Sequence, residues 1–147
     1  MSFVKLFGIS CNVLVAALFL AGCVSIATSG SSYIQPQLPS IPAGKALVCL
    51  YMTVGASKIN VKHNGQHIGD VGPFKYFYYV ADPGNLDFTF YDSFTKKKKH
   101  LTINAEPGKT YYLRSSMDTS SFFVSFKVEW VRDETGYDEV AHCRLMQ

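Results

Sequence analysis

Cys23 is the residue whose neighbours most clearly indicate a covalent reaction. Residues 6–20 are almost wholly apolar, and the small residues Ala21 and Gly22 separate them from the cysteine. Signal peptidases require small residues at the cleavage site. The sequence Leu20-Ala21-Gly22-Cys23 therefore predicts a lipoprotein signal, with cleavage between Gly22 and Cys23 and acylation of the Cys23 thiol.

A membrane-spanning helix and an ordinary secretory signal are the alternatives for this segment. A helix needs about 20 apolar residues to cross a bilayer. The run that begins at Leu6 is somewhat short for this, since the chain turns polar from Ser25. Cys11 is a poor acylation site, because Gly8 stands where leucine is expected and little apolar sequence precedes it.

The signal resembles that of bacterial lipoproteins, which implies a diacylglycerol group on the Cys23 thiol. In such proteins the amino group of the cysteine can carry a third chain, and two or more chains give stable anchoring. Val24 follows Cys23, where lipoproteins kept in the inner membrane tend to carry Asp. We therefore expect a lipid anchor in the bilayer of the outer membrane, on its periplasmic face.

The remaining chain is long enough for one domain and a tether. Residues 23–44 are rich in Ser, Pro and Gly without periodicity, which predicts a flexible tether. Residues 45–147 form the predicted domain. The formal net charge of the whole chain is +3, and removing the signal with Lys5 lowers it further, so nucleic acid is not an expected partner.

From Lys45 onward, apolar residues recur with a period of two, which predicts half-buried antiparallel strands. The alternating groups are Leu86, Phe88 and Phe90; Leu101, Ile103 and Ala105; and Phe122, Val124, Phe126, Val128 and Trp130. Ala46–Met52 and residues 76–80 are apolar on both faces, which indicates strands that are central or covered on both sides. The expected fold is an all-β antiparallel β-sandwich of about seven to eight strands with a short C-terminal helix. A small barrel is the alternative.

Asn64-Gly65 is the favoured pair for a two-residue type I′ hairpin turn. The register that it predicts pairs His63 with Gln66, Lys62 with His67, and Val61 with Ile68. His63 and His67 then point to opposite faces, because side chains alternate along a strand. Zinc ligands must converge at about 2 Å from the ion, so no metal site is expected here.

The chain contains none of the recognised local motifs of hydrolases, metalloproteases, P-loop proteins or Ca²⁺ loops. His142-Cys143 has no evident orienting partner for thiolate catalysis. The acidic residues Asp133, Glu134, Asp138 and Glu139 are interpreted as solvating a turn and a short terminal helix. We expect no enzymatic activity and no cofactor, although a site assembled from distant residues would leave no local motif.

Cys49 and Cys143 remain as a pair once Cys11 is removed and Cys23 is acylated. The periplasm is oxidising, so a disulfide between them can persist. Such a bond would close a long loop and contribute roughly 4–5 kcal/mol by constraining the unfolded chain. The alternative is two buried free thiols that pack as small hydrophobic groups.

Lys96, Lys97, Lys98 and Lys99 form the single charge run of the chain. The run lies between two predicted strands, where it should form the loop at the tip of a hairpin. It is interpreted either as a solvated loop that protects an edge strand from pairing, or as a contact with an anionic surface such as lipid headgroups.

Several separate pieces of the chain fit one family pattern. They are Gly44 to Tyr51, which fits G-x-A-L-V-x-x-Y, the Asn64-Gly65 hairpin, Asp82-Pro83-Gly84, and Pro107-Gly108-Lys109-Thr110-Tyr111-Tyr112-Leu113. Residues 44–113 thus resemble the uncharacterised bacterial lipoproteins of domain of unknown function 2846. Met52 and Thr53 stand where that family carries Arg-Pro. The resemblance implies a small β-sandwich lipoprotein and transfers no catalytic residue.

The sequence therefore predicts a lipoprotein whose domain is a non-catalytic binding or structural module of the cell envelope, with an envelope protein as its partner. A carrier of a small apolar ligand is the first alternative, because β-sandwiches can enclose apolar cavities. An enzyme is the second.

Overall fold

A computed structural model describes residues 35–120 and 125–146, which form β-strands and one short helix. The predicted signal peptide, the first part of the predicted tether and residues 121–124 lie outside the described residues. The strands in chain order are β1 (Ala46–Met52), β2 (Ile59–His63), β3 (Gln66–Val71), β4 (Lys75–Ala81), β5 (Gly84–Asp92), β6 (Lys98–Ala105), β7 (Thr110–Asp118), β8 (Ser125–Val131) and β9 (Arg144–Leu145), and helix α1 (Asp133–Val140) lies between β8 and β9.

The strands form two sheets that pack face to face. One sheet has five strands in the order β8-β7-β1-β4-β9, and the other has four in the order β3-β2-β5-β6. Among the described strands, the pairings are antiparallel except β1 with β7 and β4 with β9. The expected all-β sandwich with a C-terminal helix is confirmed. The described strands number nine rather than seven or eight, since the two-residue β9 pairs only with Lys75 and Tyr76.

β1 is the central strand of its sheet, and all seven of its residues are buried. Val48 and Leu50 face the other sheet and belong to the main core, whereas Cys49 and Tyr51 face outward into a second apolar cluster. The expectation that β1 is covered on both faces is confirmed. A near-continuous apolar sequence is what such a doubly covered strand requires.

The core between the sheets follows the predicted alternation. Phe88 and Phe90 are fully buried, while Asp87 and Thr89 point to the opposite face of β5. Burying each phenylalanine contributes roughly 1.5–3 kcal/mol. By the same alternation Trp130 lies on the inner face of the edge strand β8, but it is exposed.

β4 departs from expectation. Residues 76–80 are apolar on both faces, yet Tyr78 and Val80 are partly exposed. Tyr76 belongs to the outer apolar cluster and pairs with β9, whereas Tyr78 and Val80 lie beyond that cluster and that pairing. The prediction of a strand that is central or covered on both faces therefore holds for the start of β4 and is wrong for its second half.

The β2–β3 hairpin has the predicted turn. Asn64 and Gly65 have φ angles of 48° and 80°, and both lie in the left-handed region that a type I′ turn requires. His63 pairs with Gln66 and Lys62 pairs with His67, as predicted.

Beyond those two pairs the predicted register is wrong. A β-bulge between Val61 and Lys62 shifts the pairing, so that Val61 faces Gly69 instead of Ile68. Gly69 lies directly under the ring of Phe77, where an added Cβ would come within 2.9 Å of the ring carbons. The bulge thus brings the residue without a side chain to the position that the Phe77 ring occupies.

Helix α1 packs on the outer face of the five-stranded sheet. Gly136, in the middle of the helix, lies against Tyr112 of β7, and a Cβ there would be 2.3 Å from Tyr112 Cγ. This contact explains a glycine in a helix interior, where it is otherwise unfavourable. Asp133 and Glu134 lie in the first turn, where carboxylates complement the positive end of the helix dipole.

Residues 35–44, the described part of the predicted tether, contain no helix or strand. The Gln37 amide donates a 2.9 Å hydrogen bond to the Tyr76 hydroxyl, and Leu38 packs against the outer apolar cluster. Tyr76 lies beside the end of β1, and Lys45 directly precedes its start. The segment therefore runs back along the outer face of the sheet before entering β1.

Candidate functional site

The outer face of the four-stranded sheet is polar and carries a groove of about 710 Å³. β5 supplies the middle of this face because it pairs with both β2 and β6. Residues that face one another across paired strands share a face of the sheet. Two rows of side chains cross it: Asn60, Tyr91 and Lys98 in one row, and Lys62, Thr89 and His100 in the next.

Three lysines line the groove: Lys58, Lys62 and Lys98. None of them forms a salt bridge within residues 35–120 and 125–146. The Lys98 ammonium lies 5.9 Å from the centre of the Tyr91 ring, a cation–π contact that orients it over the groove. Asp70 supplies one carboxylate, which accepts a 3.0 Å hydrogen bond from Asn60. Three ammonium groups against one carboxylate make the groove suited to an anionic group.

The predicted contact residues Lys96, Lys97, Lys98 and Lys99 lie on different surfaces. Lys96 and Lys97 belong to the β5–β6 turn, whereas Lys98 and Lys99 are the first residues of β6. Lys98 pairs with Tyr91 and Lys99 with Phe90, so these two side chains point to opposite faces. The expectation that the run tips a hairpin therefore holds for its first half, and of the four lysines Lys98 alone lines the groove.

Sequence reasoning did not identify Lys58, Lys62 or Tyr91 as site residues. The alternation along β5 could have placed Tyr91 on the polar face, opposite Phe88 and Phe90. The pairing of β2 with β5, which brings Lys62 beside the groove, has no local signal. Two other strands separate β2 from β5 along the chain.

His63 and His67 lie on opposite faces of the hairpin, as the register predicts. The His63 ring centre is 5.1 Å from that of Phe88, and its Nδ1 is 3.1 Å from the Asp87 carbonyl oxygen. His67 Nε2 lies 3.1 Å from Asp70 Oδ1. Across the described ranges, no group of three or more His, Cys, Asp or Glu side chains is arranged to hold a metal ion.

A second polar cluster joins α1 to the five-stranded sheet. The Tyr51 hydroxyl donates a 2.5 Å hydrogen bond to Glu139, and Arg114 donates to Glu139 as well. Through Nε and Nη2, Arg114 also donates to Glu129 at 3.1 Å and 2.9 Å. The interpretation of Glu139 as a solvating residue is therefore wrong, because two side chains of the sheet engage its carboxylate.

The electrostatics of this cluster favour a structural role. Burial and the hydrogen bond to Glu139 raise the pKa of Tyr51 well above its usual range, so the phenol stays protonated. Desolvation raises the pKa of Glu129, but hydrogen bonds from Arg114 and Lys127 outweigh it and lower that pKa overall. Arg114 joins Glu129 of β8 to Glu139 of α1, so the cluster clamps α1 to the sheet.

Cys49 and Cys143 are free thiols that lie in the same buried outer cluster. Burial, followed by repulsion from Glu139, raises the pKa of Cys143 to about 11, and burial raises the pKa of Cys49 as well. Neither thiol is a reactive thiolate at neutral pH, since the thiolate form is the nucleophile. The structure contains both residues as thiols, and a disulfide between them in an oxidising compartment stays a prediction.

A small cleft lies between the sheets, lined by Met52, Val54, Phe94 and Ser116 among others, with a volume of about 20 Å³. A water needs about 10–15 Å³ of such space. The Ser116 hydroxyl is buried and has no hydrogen-bond partner among the described residues. The cleft therefore suits one water and is too small for an apolar ligand.

The predicted cleavage and acylation site, Gly22 and Cys23, lies outside the described residues. In the part of the chain that the structure covers, no helix has both the length and the apolar character needed to cross a membrane. No protein-family model matches the chain. No curated protein sequence matches it significantly.

Proposed function

We propose that this chain is a lipoprotein of the bacterial envelope, anchored through acylated Cys23 on the periplasmic face of the outer membrane. Its β-sandwich acts as a non-catalytic binding module, and the groove on the four-stranded sheet holds acidic side chains of an envelope protein partner. The lipoprotein signal and the resemblance of residues 44–113 to envelope lipoproteins of unknown function support the anchoring part of this proposal.

The positive groove is the observation that supports the binding part most strongly. Lys62, Tyr91 and Lys98 project from paired strands, and a rigid sheet positions contact residues more accurately than loops do. Exposed lysines set the rate and selectivity of association with an acidic surface more than its final affinity. The Tyr91 ring adds an amphipathic contact of the kind that is enriched at protein interfaces.

The carrier alternative finds less support. The residues between the sheets pack into a continuous buried core, and the cleft of about 20 Å³ does not accommodate an apolar ligand. The groove of about 710 Å³ is open on the outer face and lined by lysine, amide and hydroxyl groups. A binding role at a polar surface fits these features better than enclosure of an apolar molecule.

Site-specific photo-crosslinking in the native envelope tests this function. A photoreactive phenylalanine analogue in place of Tyr91 is expected to form an adduct with one envelope protein, and Lys62→Glu should abolish that adduct. The matched control places the same analogue at Asn104, which lies on the same face but pairs with Asn85, away from the lysines. Adducts of equal yield at both positions, or no adduct at Tyr91, would contradict the proposal.

A further inference from the structure

One end of the sandwich displays three apolar side chains, which we call the Phe94 end. Phe94, Phe74 and Val54 are 72%, 58% and 53% exposed, and they come from three different connections between strands. Met52, the last residue of β1, lines a cleft with Val54 and Phe94 and pairs with Lys75, directly after Phe74. The three side chains therefore belong to the same end of the molecule, which the folding of the core leaves uncovered.

Lysines accompany the three apolar side chains. Lys58 lies in the same connection as Val54, Lys75 directly follows Phe74, and Lys96 lies in the same turn as Phe94. None of the three lysines forms a salt bridge with any residue that the structure describes. The Asp118 carboxylate, at this end of β7, accepts hydrogen bonds from the Ser120 hydroxyl and amide. The Phe94 end thus combines exposed apolar groups with three lysines that form no salt bridge among the described residues, and the carboxylates of Asp92 and Asp118 lie at the same end.

A buried carboxylate fixes the position of Phe94. Asp92 accepts hydrogen bonds from the Phe94 amide at 2.9 Å, from the Thr95 hydroxyl at 2.7 Å and from the Ser57 hydroxyl at 2.7 Å. Because Ser57 belongs to the connection that carries Val54, the same carboxylate joins both projecting loops. The apolar side chains are held outward before any partner is present, which lowers the entropy lost on contact.

The described N-terminal segment leaves the domain in the same half of the sandwich. Gln37 bonds to Tyr76, which faces Tyr51 near the end of β1. Cys23 and Gln37 are 14 positions apart. A chain of that length spans at most roughly 50 Å, which limits how far the domain can move from an anchor at Cys23.

We infer that the Phe94 end docks on the anionic phospholipid bilayer that holds the Cys23 anchor. Phe94 enters the boundary between headgroups and acyl chains, as the apolar side of an interfacial segment does. Lys58, Lys75 and Lys96 lie at the depth of the phosphates, where each lysine is attracted to anionic lipid. This inference rests on the proposed anchoring. It shares Lys58 with the groove on the four-stranded sheet, whose other lysines, Lys62 and Lys98, stay available to the protein partner.

Fluorescence quenching in vesicles tests the inference with the full acylated protein. Trp130→Phe removes the one tryptophan of the chain, and Phe94→Trp in that background places a probe at the docking end. The matched control is Val80→Trp, which is also an exposed apolar position but pairs with Leu47 near the start of β1. The vesicles contain phosphatidylcholine and phosphatidylglycerol with brominated acyl chains, and flotation of the vesicles reports anchoring separately.

The expected result is quenching of roughly twofold or more at position 94, as for a side chain buried at the acyl boundary, and little quenching at position 80. Lys75→Glu combined with Lys96→Glu should remove the quenching while flotation persists. Flotation without quenching at position 94, equal quenching at both positions, or equal quenching in phosphatidylcholine alone would overturn the docking inference. Loss of flotation would instead contradict the anchoring on which the inference rests.

Discussion

Gly136→Ala is expected to destabilise the domain, although the same change stabilises most helices. In a helix interior, alanine is favoured over glycine by about 1 kcal/mol. Here the new methyl group would lie 2.3 Å from Tyr112 Cγ and 2.4 Å from Tyr112 Cβ. These atoms lie at the base of a strand side chain and cannot rotate away, so α1 must move outward.

Overpacking of this kind costs typically 1–3 kcal/mol, and we expect it to exceed the gain in helix propensity. For a domain of this size, each 1 kcal/mol lowers the Tm by roughly 4 °C. Thermal unfolding followed by circular dichroism measures the effect. Thr135→Ala is the matched control, because Thr135 is the exposed neighbour in the same helix and should gain up to about 0.7 kcal/mol.

A Tm above that of the wild type for Gly136→Ala would refute the reasoning. It would mean that α1 does not press on Tyr112 as the structure shows. An equal rise in both variants would show that helix propensity alone governs this segment.

Two further predictions concern the polar clusters. Arg114→Ala should lower the free energy of unfolding by about 1.5–3 kcal/mol in urea titrations, because it removes charged hydrogen bonds to two carboxylates. The control is Lys127→Ala, which removes an exposed salt bridge and should lower the free energy of unfolding by less than about 1 kcal/mol. Equal losses in the two variants would argue against the clamp. Burial raises the pKa of Asp92, but hydrogen bonds from Thr95, Ser57 and the Phe94 amide outweigh it and lower that pKa overall. The stability that this carboxylate contributes is therefore complete above the unfolded pKa of about 4 and is lost as the pH falls through the lower folded value. The advantage of the wild type over Asp92→Asn should accordingly shrink from pH 7 to pH 3, and a constant difference would contradict it.

The fold class could be predicted because it follows from local sequence patterns. Alternation along β5 indicated which side chains form the core, and Asn64-Gly65 indicated a turn that needs two residues with positive φ. The register beyond Lys62 could not be predicted. The bulge there places Gly69 against the Phe77 ring, and Phe77 lies on a strand of the other sheet.

The candidate site was less accessible to prediction for the same reason. The lysine run stands out in the sequence, but β-strand alternation divides Lys98 from Lys99, and the groove draws on β2 through a long-range pairing. The contact between Glu139 and Arg114 could not be predicted from the sequence, because the two residues meet only when helix α1 packs on the sheet. Patterns within one strand are visible in a sequence, whereas pairings between distant strands are not.

The central proposal is that this domain is a binding module held to a membrane through Cys23. Mass spectrometry of the protein isolated from native membranes tests it most directly, through the N-terminal peptide of the mature chain. The account predicts a peptide that begins at Cys23 and carries the mass of a diacylglyceryl group with or without a third acyl chain. A chain that still begins at Met1, or one in which Cys23 carries no lipid, would contradict the account.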